Sequence, residues 1–303
     1  MNKIKILLLI LFCCLSFFFA VIFPPASFDI LLNLRLSRAL QGFFTGFSLS
    51  LSAAVLQGVL KNPLADPFII GVSGGAMLFL LIAKFLNFSD IYFFPALGGL
   101  AASYFSYALA KRFSWASNSG ILLAGIAVNA FITALITMFV IFRKDDLIYF
   151  FHFSFGNLSG VNHKEIFLFS VLTIIVFIFV FLRRKNFSAI SFDEEKASTM
   201  GISYGKEKLL FFALASLLAS FSVGLSGLIG FVGLVAANAA RMIFPFSTGL
   251  YIFSSSVLGA MLILFADWIG RFAASPIEIP VGAITSFLGA PFFIWLLYKE
   301  NKK

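Results

Sequence analysis

A chain of 303 residues that is 61% hydrophobic and only 12% charged does not pack as one water-soluble globule, in which about a quarter of residues are charged. At roughly 20 apolar residues per helical span it has room for at most about a dozen crossings, which excludes a sizeable soluble or catalytic domain. The balance of 22 Lys+Arg against 13 Asp+Glu, a net +9, fits basic residues gathered on cytoplasmic loops beside a lipid bilayer and needs no nucleic-acid partner.

Taken from the N-terminus, Lys3 and Lys5 precede an uncharged stretch from Ile6 to Phe28. This resembles a signal peptide, but it is long and has no small-x-small pattern before Pro24 and Pro25, so an uncleaved first helix is expected. Cys13 and Cys14 are adjacent within that apolar run; they form no disulfide framework and read as lipid-facing residues. Further uncharged windows run 39–60, 67–83, 91–110, 113–142, 166–182, 209–240, 242–266 and 279–298. The window 209–240 is too long for one span and carries Gly224, Gly227, Gly230 and Gly233, which predicts a turn near Ser226. The expected fold is therefore all-α and integral to the membrane, a single transmembrane domain over residues 1–303 with about ten helices.

An even number of spans places both termini on one side. With the N-terminus inside, fifteen basic residues fall on inner segments and seven on outer ones, Arg35, Arg38, Lys84, Arg143, Lys144, Lys164 and Arg271. That asymmetry predicts cytoplasmic termini. Along the second span Gly42, Gly46, Ser50 and Ala54 recur every four residues, a stripe that lets another backbone approach closely and marks a helix in the middle of the bundle. Pro291 inside the last span predicts a kink.

The longest polar stretch runs from Arg183 to Lys208, with Asp193, Glu194 and Glu195 ahead of Lys196, Ala197, Ser198, Thr199, Met200 and Gly201. Acids before a short run closed by Gly describe a small helix whose N-terminal dipole favours the carboxylates. Ala197, Met200 and Ile202 give it an apolar face suited to a docking partner, with a solvated connector as the alternative. The GISYGKE run at 201–207 superficially resembles a phosphate-binding loop. It fails because its first Gly is one residue too close to the Gly-Lys pair and Glu207 stands where a magnesium-holding Ser or Thr belongs. Nucleotide chemistry is thus expected from another polypeptide.

Ionisable residues within spans are scarce, which argues against a proton- or ion-coupled carrier. Asp267 and Arg271 are spaced for an i,i+4 ion pair at the end of the ninth span. His152 and His163 fall in the outer loop before the sixth span, where interfacial packing and binding of a haem or iron ligand are both open readings. No ligand spacing for a metal site is found, and no catalytic constellation.

The run RLSRALQGFFTGFSLSLSAAVLQGVLKNPLADPFIIGVSGGA at Arg35–Ala76 closely resembles the signature region of FecCD-type permease subunits of type II ABC importers, the family that moves iron-siderophore complexes, haem and cobalamin. LLAGIAVNA at Leu122–Ala130, the loop Phe192–Gly201, GLIGFVGLVAANAAR at Gly227–Arg241 and ADWIGRFAASPIEIPVGAITSFLGAPFFIWLL at Ala266–Leu297 extend the resemblance in family order over nearly the whole chain. The resemblance implies ten helices with both termini cytoplasmic, a multi-pass protein of the bacterial cytoplasmic (inner) membrane, and no enzymatic activity in this chain. It implies a homodimer, or a pseudo-symmetric heterodimer with a second permease, sharing a central pathway. Two ATPase subunits would use ATP and magnesium, and a periplasmic or surface substrate-binding protein would deliver cargo; no cofactor is expected on this chain.

By the same resemblance Arg35, Arg38 and Arg271 dock acidic residues of the binding protein, although anchoring of helix ends at the interface is the competing role. The loop at about 186–206 matches the coupling helix, with Asp193, Glu194, Glu195, Ala197, Met200 and Gly201 facing the ATPase. Asn62 and Leu64, with Ser117 and Asn118, match the cytoplasmic gate, ordinary turn formation being equally open. Ala237 and Asn238 stand where the family usually has Pro-His, which leaves local packing in question. The cargo implied first is a ferric siderophore or related iron chelate, then haem or cobalamin; an ion-coupled secondary transporter is the reading from another class.

Overall fold

The computed structural model describes residues 2–22, 30–88, 93–112, 118–142, 147–159, 162–273 and 277–300. All secondary structure among them is helical. Helix α1 spans Asn2–Ile22, and a π-helical turn at Leu31–Arg35 leads into α2, Leu36–Val59. There follow α3 (Val72–Phe85), α4 (Phe93–Arg112), α5 (Asn118–Phe142), the short α6 (Leu147–Phe155) and α7 (His163–Leu182). The polar stretch folds as α8 (Arg184–Phe192) and α9 (Glu194–Thr199), before α10 (Tyr204–Ser226), α11 (Val232–Ile243), α12 (Thr248–Phe272) and α13 (Val281–Glu300).

Eight of these helices, α1, α2, α4, α5, α7, α10, α12 and α13, are long and apolar enough to cross a bilayer. Helices α3 and α11 have 14 and 12 residues; each fills one of the remaining apolar windows. The polar stretch departs from expectation, with two short helices in place of one. Helix α13 continues through Pro291.

Helix α2 is the axis of the bundle. Its stripe of small residues meets α12 so closely that a Cβ on Gly46 would collide with the Gly259 carbonyl, and one on Gly259 with Ser50. Lipid tails are as apolar as leucine, so such helices gain little by burying grease and associate instead through close packing and hydrogen bonds. The second contribution is visible in the hydroxyls. Ser52 donates to the Ala215 carbonyl at 2.7 Å and Ser255 to the Ser50 carbonyl at 3.0 Å, while Gln41, Thr45 and Ser226 form a buried cluster between α2 and α10.

The break between α10 and α11 falls where the glycines predict it. Gly227 adopts φ +70°, a left-handed conformation that costs glycine little, and ends α10. The polar groups freed by this break are taken up locally: Asn157 N–H donates to the Ser226 carbonyl and Leu228 N–H to the Phe153 carbonyl, both at 2.8 Å. Irregular backbone at membrane depth survives only where protein satisfies it. Asn129, from the LLAGIAVNA run, acts similarly: its amide donates to the Phe68 carbonyl at 2.7 Å and accepts from Gly74 N–H at 3.1 Å, fixing the connection between α2 and α3 against α5.

Candidate functional site

The sequence-selected residues collect at opposite ends of α2, whose 24 residues separate them by about 36 Å. At its N-terminal end, Arg38 Nε lies 2.7 Å from Asp267 Oδ1 and its Nη1 lies 2.8 Å from Glu278 Oε2. Arg271 shares Asp267, Nε to Oδ2 at 3.1 Å, and its Nη2 donates to the Ala20 carbonyl at 2.7 Å. The expected i,i+4 pair is thus present, inside a larger cluster. Arg35 donates from Nη1 to the Ile22 carbonyl at 3.4 Å.

These contacts make Arg38 and Arg271 half-buried structural ties as well as candidate docking groups. Asp267 is enclosed, its side chain 3% exposed, whereas Glu278 is 53% exposed. A cleft of about 430 Å³ beside them is walled by Arg38, Phe155, Asn157, Glu278 and Pro280. His163, at the start of α7, places Nδ1 at 3.1 Å from Ser37 Oγ; the side chain of His152 lies outside the described residues.

At the other end of α2 the chain leaves the helix through Lys61, at φ +49°. Asn62 Oδ1 accepts from Leu64 N–H and Asp66 Oδ1 from Phe68 N–H, each at 2.9 Å. Two successive Asx turns therefore shape KNPLADP, and the turn-forming role is realised at Asn62. Asp66 is buried, and desolvation pushes its carboxyl up to about 6 against the lowering effect of the Phe68 N–H. Asn238, where the resemblance leads one to look for His, is 3% exposed and donates from Nδ2 to the carbonyls of Pro63 and Leu234, both at 2.9 Å. The position keeps a polar group that clamps this loop to α11.

Helices α8 and α9 sit against the same end. Glu207 is 8% exposed and holds Arg183 at 2.9 Å and Asn186 at 3.1 Å, tying α8 to the base of α10. In α9, Glu194 and Glu195 occupy the first turn and are exposed, as is Met200. Ala197, in contrast, is fully buried within the chain and Ile202 packs on the core. The apolar face read from Ala197, Met200 and Ile202 is therefore divided: two residues anchor α9 and Met200 alone faces outward. Gly201, at φ +71°, turns the chain towards α10.

A polar chain links these parts. Asp193 Oδ1 lies 4.0 Å from Lys61 Nζ. Lys61 and Lys208 both lie over the Tyr204 ring, at 5.6 and 5.7 Å from its centroid. Lys208 Nζ donates to Asn118 Oδ1 at 2.8 Å. Asp193 in the α8–α9 connection is thus joined through Tyr204 to Asn118, the first residue of α5, while Ser117 lies outside the described residues. Neither the KNPLADP run that holds Lys61 nor the GISYGKE run that holds Tyr204 signals their contact with each other or with Lys208; it arises only when the connection folds back.

An apolar helical bundle interrupted by protein-satisfied breaks, with the ionic clusters of the described residues at its ends, is the architecture of a polytopic membrane protein. The sequence profile of the FecCD transport family matches residues 6–299. A permease of Helicobacter pylori strain 26695, named a probable iron chelatin transport system permease protein, is 34% identical over 275 residues, covering 90% of this chain and 83% of the relative. The hemin transport system permease protein HmuU of Yersinia pestis is 31% identical over 287 residues, covering 92% and 86%. A solved structure described as an inward-facing, metal-chelate type ABC transporter superposes with a TM-score of 0.88 at 25% identity, covering 99% of this chain and all of that one. PsaBC of Streptococcus pneumoniae shares the fold, with a TM-score of 0.65 at 18% identity, covering 88% and 92%. The chain belongs to the FecCD transport family, the permease subunits of ABC transporters, and is a multi-pass membrane protein.

Proposed function

We propose that this chain forms half of the pathway of an ATP-driven importer in a bacterial cytoplasmic membrane, as a homodimer or with a second permease. Its cargo is an iron chelate, a ferric siderophore first, with haem and cobalamin as related cargoes. The relatives named for iron chelatin and for hemin support the cargo class. A bulky, well-shielded chelate suits a pathway with few ionisable groups.

The observation that carries the reading is the polar chain from Asp193 to Asn118. In this account α9 docks on a separate ATPase through Glu194, Glu195 and Met200, and Asn118 with the KNPLADP turn borders the inner gate. Nucleotide-driven closure of the ATPases displaces α9. The tie from Asp193 through Lys61, Tyr204 and Lys208 carries that displacement to the ends of α2, α5 and α10. Such a device biases a two-state helix arrangement and needs no catalytic group in this chain. At the opposite end Arg35, Arg38 and Arg271 receive carboxylates of a substrate-binding protein, for which arginine's forked donors are suited.

Equilibrium binding by the cognate binding protein tests the cargo. Ferric siderophores are expected to bind at least about tenfold tighter, or about 1.4 kcal/mol, than haem or cobalamin. Preference for either of the others would replace the cargo while leaving the transport mechanism in place.

A further inference from the structure

Between the last turn of α2, helix α8 and the 244–248 connection lies a cleft of about 640 Å³ that touches the coupling tie only at Lys61 and has no other part in the transport mechanism. Gln57, Lys61, Ser191, Arg241, Phe246 and Thr248 are among its walls. Gln57 is 1% exposed, and its amide orientation is dictated by its neighbours. Arg241 Nη2 and the Tyr251 hydroxyl both donate to Oε1, at 3.2 and 3.3 Å. A guanidinium only donates, so the amide oxygen must face it. The Nε2 group is turned the other way and has no hydrogen-bond partner among the described residues. A buried amide donor of this kind is completed by an acceptor.

Positive charge lines the same cleft. The Arg241 guanidinium is held 5.4 Å from the Tyr251 ring centroid, and Lys61 is among the residues that line the same cleft. Asp193 is the acid that reaches Lys61, at 4.0 Å and with its own side chain 58% exposed. Ser247 and Thr248 bring the N-terminus of the 25-residue α12 to the same cleft, and a helix N-terminus favours negative charge. Lys5, at the start of α1, adds a further cation by donating to the Ile243 carbonyl at 3.4 Å. An amide, a guanidinium, an ammonium and a helix N-terminus around one space match a compact oxyanion with several acceptor oxygens, which is a phosphate.

The rim indicates how that phosphate is presented. Phe246 is 99% exposed and Phe192 70%. The neighbouring α1 is the least buried of the candidate spans, with 17% of its apolar window enclosed. Basic pockets bordered by apolar residues at helix ends are suited to anionic headgroups. We propose that this cleft binds the phosphate of an anionic phospholipid, with Arg241, Lys61 and Gln57 Nε2 as its ligands and Phe246 at the acyl boundary. The site rests on this geometry alone and stands whatever the cargo.

The test is native mass spectrometry of the full-length, delipidated chain in neutral detergent, titrated with phosphatidylglycerol or phosphatidylcholine, with inorganic phosphate as a soluble competitor. One phosphatidylglycerol per chain is expected, held about tenfold tighter than phosphatidylcholine, and Arg241→Gln or Lys61→Gln should each erase most of that difference. Gln57→Glu keeps an Oε acceptor for Arg241 and Tyr251 while replacing the Nε2 donor with a carboxylate oxygen, and so guards against misfolding of the Arg241 variant: it should weaken phosphatidylglycerol severalfold while the chain stays folded in neutral lipid. Equal retention of the two lipids, or a preference untouched by all three variants, would overturn the proposal. Competition by inorganic phosphate at equal affinity would overturn the lipid source. Stoichiometric loss of the lipid when the partner ATPase is added would assign the cleft to a carboxylate of that subunit and overturn it as well.

Discussion

Arg38 is held by two carboxylates of unequal standing. Asp267 is enclosed and shared with Arg271, whereas Glu278 is half exposed and its ion pair among the described residues is with Arg38. An exposed ion pair contributes little stability, about 0–1 kcal/mol, so Glu278 is displaceable and competes with any incoming carboxylate. Glu278→Gln should therefore lower, by about threefold, the binding-protein concentration that half-maximally stimulates ATPase activity. Arg38→Glu should abolish stimulation; an unchanged half-saturation in Glu278→Gln would remove the competition from the account. Asp66 makes a separate expectation. Its folded carboxyl is pushed up to about 6 from an ordinary 3.8, so the native state binds the proton more tightly than the unfolded chain. Stability from this group is present below pH 4 and declines as pH rises towards 6, by on the order of 3 kcal/mol. Asp66→Asn preserves the acceptor for Phe68 N–H and should flatten the unfolding temperature between pH 4 and 6; a slope equal to that of the parent would contradict the assignment. The pair Asp267–Arg271 was legible because four residues separate its members on one helix. Glu278 was not, since it stands 240 positions along the chain from Arg38, and only the folded connection before α13 brings it back.

Among the elements, α2 and α12 depend on contact between backbones. Gly46→Val places a side chain against the Gly259 carbonyl with no flexible neighbour to yield, and overpacking alone costs about 1–3 kcal/mol. A clear fall in unfolding temperature is expected, whereas Gly205→Ala, at a position with open space around it, should leave it unchanged. The four-residue stripe announced this packing in the sequence, because period and residue size together specify a close helix contact. The break near Ser226 that splits the 209–240 window was equally readable from its glycines. The pair α8 and α9 was less so: Arg183, just ahead of α8, and Asn186 within it anchor on Glu207 while Phe187 and Ile190 are buried, and polar composition hid that inward face. Coupling is an expectation at this scale. Tyr204→Leu removes the ring beneath Lys61 and Lys208 while keeping its apolar bulk, and should lower cargo taken up per ATP hydrolysed several-fold. Combined replacement of Glu194 and Met200 should act at the other end of the same tie; uptake per ATP at the parental ratio in both would contradict the route.

For the whole molecule, composition announced a membrane bundle, and the placement of its few charges divides that bundle into two working ends. The cluster of Arg38, Asp267, Arg271 and Glu278 lies at one end of α2 and α12; Lys61, Asp193, Tyr204 and Arg241 lie at the other. The resemblance of the Arg35–Ala76 run made the family legible, since a long ordered match specifies far more than hydropathy. It left open what Asn238 does at a position where the resemblance implies a histidine, which becomes physical only once Pro63 is seen against α11. The central claim is that this chain is operated by partners, gating a pathway whose energy is supplied elsewhere. Uptake of a radiolabelled ferric siderophore into proteoliposomes tests it most directly, comparing the chain alone under an imposed proton or sodium gradient with the chain assembled with its ATPase and binding protein. The account expects accumulation only in the complete assembly and only with ATP; gradient-driven accumulation by the chain alone would contradict it.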